Sequence, residues 1–168
     1  MYIMPCYTLW LSTLITSPLS NYVVALDKSN LANASWRVDF DNLFGQNVSE
    51  YKFCRVRFYL VGETFASSTP ASNDWTNYNG YLSVSLPSSY QASTTNGTIL
   101  GLINPTDSPV TGTAVHCMLN STLSECGVDI NVPTGVQQVN IQMISWSNNQ
   151  LLTTMQNYSI LLNFELYN

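Results

Sequence analysis

The stretch Ala34-Ser-Trp-Arg-Val-Asp-Phe-Asp-Asn-Leu-Phe-Gly45, followed after a polar turn by Tyr51-Lys-Phe-Cys-Arg-Val-Arg-Phe-Tyr-Leu-Val61, carries nearly every cation of the chain between strand-like apolar residues. Both halves alternate with period two. Trp36, Val38 and Phe40 share one face, Cys54, Val56, Phe58 and Leu60 share another, and Arg37, Asp39, Arg55 and Arg57 lie opposite. This is the pattern of strands half-buried in a sandwich, with charge on the outer face. The expected sheet-face network is Arg37, Asp39, Asp41, Arg55 and Arg57, the arginines pairing with Asp39 or Asp41. Asp41-Asn-Leu-Phe-Gly45 predicts one helical turn with Asp41 as N-cap and Gly45 as stop.

Outward from this centre the chain is a series of strand signals separated by turns. Tyr22 to Leu26 precedes it. After it come Tyr81 to Leu86, Thr98 to Ile103, Thr113 to Leu119, Gly127 to Val132, Gln138 to Ser145, Leu151 to Met155 and Tyr158 to Tyr167. The last of these sets Ile160, Leu162, Phe164 and Leu166 against polar neighbours and is expected deep in a sheet. Glu63 to Gly80 reads as a long exposed loop. Met1 to Ser20 has no positive leading segment and is interrupted by Pro5 and Pro18, so neither a signal peptide nor a membrane anchor is expected. Residues 7–15 are expected as a strand or arm docked on the domain or on a neighbour. No helix-period stripe occurs. The expected fold is all-β: one antiparallel sandwich over 1–168, a single jelly roll of about eight core strands, with 1–20 as an N-terminal arm or strand and 21–168 as the sandwich. An immunoglobulin-type sandwich is the alternative.

Charged residues make up only 9% of the chain's 168 residues, against a usual quarter. Such a surface suits a subunit largely covered by neighbours, or a secreted domain in a sugar-rich environment. Through residue 57, five cations face four acids; beyond it, six acids stand without a Lys or Arg, for a net charge of −5. No basic arm exists to neutralise phosphates, so nucleic-acid binding is not expected.

Little in the sequence points to chemistry. The one histidine, His116, has no nucleophile context around it, and Asp39 and Asp41 are a common spacing rather than a cleft pair. No catalytic, cofactor or metal residues are expected, and no enzymatic activity. Cys6, Cys54, Cys117 and Cys126 match no zinc spacing; Cys54 and Cys117 fall on apolar faces and read as buried thiols, with a Cys117 to Cys126 disulfide as the alternative. Five sequons, at Asn33, Asn47, Asn96, Asn120 and Asn157, are near the roughly four expected by chance at this composition. Trp75, Tyr78 and Tyr81 are the candidate contact loop. They are read as plugging onto the sandwich or a neighbouring subunit, with sugar stacking as the alternative.

The segments 36–44, 51–58, 97–105 (Gly-Thr-Ile-Leu-Gly-Leu-Ile-Asn-Pro) and 161–167 (Leu-Leu-Asn-Phe-Glu-Leu-Tyr) resemble small single jelly-roll capsid proteins of large icosahedral DNA viruses. The resemblance covers most of the chain in style and strand order and brings no active-site residues. It implies a virion structural protein, a penton at five-fold vertices or a minor capsid protein. The implied partners are copies of itself, in a pentamer, and other capsid proteins. The residues 1–20 and the loop 63–80 are expected to carry much of the contact between subunits. The alternative is a secreted carbohydrate-binding sandwich using Trp75, Tyr78 and Tyr81.

Overall fold

The structure is a computed structural model that describes residues 4–14, 21–31, 33–45, 48–66, 80–86, 93–94, 97–105, 115–121, 127–145, 151 and 155–168. Its strands are β1 (Cys6–Ser12), β2 (Val23–Asp27), β3 (Asn33–Asp39), β4 (Phe53–Ala66), β5 (Gly80–Val84), β6 (Ser93–Thr94), β7 (Gly97–Pro105), β8 (Val115–Ser121), β9 (Val128–Asn131), β10 (Val136–Ser145) and β11 (Met155–Tyr167). A short helix, α1 (Phe40–Phe44), lies between β3 and β4.

Hydrogen bonds link the strands into one path, β1-β11-β4-β8-β7-β5-β10-β3-β2, in which every pairing is antiparallel. The path doubles over on itself into two sheets of four and five strands. With β1, β3, β4, β5, β7, β8, β10 and β11 counted first to eighth, the four-stranded sheet runs first, eighth, third, sixth. The other runs second, seventh, fourth, fifth, with β2 added beside β3. This is the jelly-roll order. The end of β7 pairs with β8 through Ile103 and Ser121, Asn104 and Asn120, and Pro105 and Leu119, which seals the sheets together along one side. β9 takes the place beside β4 that β8 leaves, pairing with residues 53–56.

Two faces meet in the core because the alternation of each strand is carried through. Cys54, Val56, Phe58 and Leu60 of β4 are fully buried, as are Ile160, Leu162, Phe164 and Leu166 of β11 and Val139, Ile141 and Met143 of β10. Trp36 of β3 meets Tyr158 of β11 edge to face, centroids 6.4 Å apart, although the two strands are far apart along the path. That contact is possible only across the sandwich. Each such side chain contributes about 1.5–3 kcal/mol of burial. Ser83 and Tyr158 are buried with side-chain oxygens that have no partner among the described residues.

The strand expected within residues 7–15 and docked on the domain is β1, which pairs along its whole length with the last strand and, with Leu9 and Leu11 fully buried, serves as the first jelly-roll strand; the strand beyond the eight is β2. Two expectations are corrected. The loop expected from Glu63 is strand as far as Ala66, since Gly62 to Ala66 pair with Leu119 to Val115 of β8; residues 67–79 lie outside the described residues. The helical turn is capped two residues earlier than expected. Asp39 Oδ1 accepts from the Asn42 N–H at 3.1 Å, while Asp41 Oδ1 accepts from the Gly135 N–H at 2.8 Å and ties the helix to the turn before β10. Gly45, at φ +76°, ends the helix as expected. α1 closes one end of the sandwich, where Phe44 packs on Tyr7 and Phe164 at 5.2 and 5.5 Å.

Candidate functional site

The arginines of the 51–61 stretch emerge on the outer face of the four-stranded sheet. Strand register lays the outward residues in rows across β1, β11, β4 and β9. One row is Trp10, Leu161 and Tyr59, which are 43%, 39% and 54% exposed. The next is Thr8, Asn163 and Arg57, the third Cys6, Glu165, Arg55 and Asp129, and the last Tyr167, Phe53 and Asn131. The row of Thr8, Asn163 and Arg57 therefore separates the apolar row from the charged one.

The charged row is internally paired. Arg55 reaches along it to Asp129 with a two-pronged contact, Nε to Oδ1 at 2.9 Å and Nη2 to Oδ2 at 3.3 Å. Arg57 donates diagonally from Nη1 to Glu165 Oε2 at 3.0 Å. The Arg55 guanidinium stands 5.9 Å from the centre of the Tyr167 ring, a cation–π arrangement, and Tyr167 lies against Phe53 at 5.9 Å. The Arg55 hydrogen bond holds the Asp129 carboxyl below the usual carboxylate range, with the Tyr167 hydroxyl assisting against partial burial. The same hydrogen bond raises Arg55, and burial followed by the Asp129 contact raises Tyr167. Gly127, at φ +66°, admits the arginine stems: a Cβ there would stand 2.6 Å from Arg55 Cγ and 3.1 Å from Arg57 Cγ. An open cavity of about 240 Å³ is lined by Met4, Arg55, Glu165, Tyr167 and Asn168.

The predicted charge network is divided by the fold. Arg55 and Arg57 stand together, but their partners are Asp129 and Glu165. Arg37, Asp39 and Asp41 belong to β3 and α1, on the other sheet and at the end of the sandwich. There Arg37 is exposed opposite Gln138 and Val24, and the two aspartates serve the helix cap and the Gly135 turn. The alternation in Val128 to Val132 and in 160–167 marks Asp129 and Glu165 as outward; nothing local tells which strand stands beside them. Trp75 and Tyr78 lie outside the described residues. Tyr81 is placed by its backbone in β5, between Leu102 of β7 and Ile144 of β10. Cys54 is buried, and burial pushes its thiol up to about 12; Cys6 is exposed, with Sγ 2.6 Å from Asn163 Oδ1.

Chemically, this face combines an exposed apolar row with ion pairs that span the next two rows of the sheet. Among the described residues no group of three or more His, Cys, Asp and Glu is placed to hold a metal ion, and no helix is long and apolar enough to cross a membrane. In comparisons with family models, curated proteins and solved structures, nothing matches the chain.

Proposed function

We propose that this chain is a structural subunit of an icosahedral virion, a penton that builds five-fold vertices or otherwise a minor capsid protein. It acts through contacts with copies of itself and with other capsid proteins. The observation that carries the reading is the outward row Trp10, Leu161 and Tyr59 on one sheet of a jelly roll. Three large side chains are held in solvent by a chain with only 9% charged residues to keep it dispersed. A neighbouring subunit is the natural cover for such a row, with the Arg55–Asp129 and Arg57–Glu165 pairs as its rim.

Native mass spectrometry of the full chain over a range of ionic strength tests this. A pentamer is expected, persistent in salt because contacts among so few charges are mainly apolar, and weakened by Leu161→Arg. A monomer absent from purified particles that binds glycans through residues 75–81 would replace this reading with a secreted carbohydrate-binding module.

A further inference from the structure

We infer that the outer edge of β1 pairs with β1 of a second copy of this chain, antiparallel across a two-fold axis centred on Thr8. β1 ends the strand path and, among the described residues, pairs with β11 alone. That pairing uses its odd-numbered residues: the Leu166 N–H donates to the Pro5 carbonyl and the Thr13 N–H to the Tyr158 carbonyl, each at 3.0 Å. Bonding alternates along an antiparallel ladder, so the N–H and C=O groups of Cys6, Thr8 and Trp10 point away from β11. The side chains of these residues are exposed as well.

The two ends of the path are treated differently. β2 carries a register shift between Ala25 and Asp27, ends on the charge of Asp27 and is followed by Lys28, devices that blunt an edge. Lys28 Nζ also donates to the Thr13 carbonyl at 2.9 Å, just past the end of β1. Along β1 itself there is no bulge and no charge, and residues 1–26 contain no Asp, Glu, Lys or Arg.

Alternating donors and acceptors are met only by another extended strand. Charge argues that the strand comes from a second copy. Two copies with net charge −5 repel each other over most surfaces, and this uncharged edge is where they approach without like charges facing. Symmetry argues the same. With Thr8 on the axis, Thr8 faces its counterpart and Cys6 faces Trp10 in both directions, so all three outward residues pair and the exposed Trp10 ring gains a sulfur neighbour. The inference rests on the reading of the chain as self-associating, but not on five-fold symmetry.

The test is native mass spectrometry and sedimentation, with reductant present, on the wild type, Thr8→Pro and Thr8→Val. Even-numbered species are expected from the wild type: a dimer, or two five-membered rings joined through β1. Thr8→Pro removes an outward N–H and no bond of the ladder to β11, so it should weaken association at least ten-fold while the monomer's melting temperature shifts little. Thr8→Val, which keeps the N–H, should associate like the wild type. Should Thr8→Pro fail to fold, Trp10→Cys decides the matter: on oxidation its new thiol should form a mapped disulfide with Cys6 of the second copy. A wild type that stays monomeric, or even-numbered species indifferent to Thr8→Pro, would overturn the pairing. A five-membered ring indifferent to Thr8→Pro would overturn it too, while leaving the capsid reading intact. Slow amide exchange at residues 6–10 that appears only with another capsid protein would assign the edge to that protein and overturn self-pairing.

Discussion

Arg55 and Asp129, 74 residues apart in the chain, meet through two hydrogen bonds of 2.9 and 3.3 Å that join β4 to β9 on the outer face of the sheet. Their side chains keep 42% and 32% exposure, so solvent screening holds the pair to about 0.5–1 kcal/mol. The folded carboxyl titrates below its ordinary value. The pair's stabilisation is therefore complete above the unfolded pKa of about 4 and is lost as pH falls through the lower folded value. Asp129→Asn should cost up to about 1 kcal/mol in urea unfolding at neutral pH and little near pH 2. An equal cost at both would show that the effect is not the ion pair.

Gly127 and Gly135 share a left-handed backbone, φ +66° and +67°, but differ in what surrounds them. Either change to Ala costs roughly 1–2 kcal/mol for the backbone alone. Gly127→Ala also drives a methyl into Arg55 Cγ, whereas nothing lies within 4 Å of the Gly135 site. Gly127→Ala should thus be the more destabilising by roughly 1 kcal/mol. Paired thermal melts giving equal losses would mean the arginine stems move aside freely.

Cys54 is fully buried, and desolvation raises its thiol from 9.0 to about 12. A group whose folded pKa is raised stabilises the fold below its unfolded pKa, and here that contribution disappears as pH climbs from about 9 toward 12. Alkylation of the native protein near pH 8, mapped by peptide mass spectrometry, should label Cys6 and spare Cys54 until denaturant is added. Cys54→Ala should flatten the alkaline limb of the stability profile. Labelling of Cys54 at the rate of Cys6 would contradict its burial.

Phe164 sits where α1 closes the sandwich, 6.0 Å from the Phe40 ring and 5.5 Å from Phe44. Phe164→Ala should cost about 3–5 kcal/mol, while Leu161→Ser, three residues away on the outer face and 39% exposed, should stay within about 0.5 kcal/mol. Denaturant unfolding of both variants tests the assignment of the two faces.

The inner face of the sandwich is legible residue by residue because side-chain direction in a strand is a local property with period two. Trp36 and Val38, the run Cys54 to Leu60, Val139 to Met143 and Ile160 to Leu166 are buried as their alternation dictates. The helical turn after β3 was legible too, but not its cap. Asp39 and Asp41 are chemically equal, and the N–H of Gly135, 94 residues from Asp41, engages the second and leaves the first as cap.

What the sequence determined by itself is the all-β class, which side of most strands faces inward, and a composition poor in charged residues. Each of these follows from composition or from neighbours in the chain. The tertiary structure alone decided which strand stands beside which: that β1 is an integral edge paired to the final strand, and that Arg55 and Arg57 find Asp129 and Glu165 rather than Asp39 and Asp41. A jelly roll brings residues 74 to 108 positions apart onto neighbouring strands of one sheet, and such register is set by the packing of both sheets at once, which no local pattern encodes.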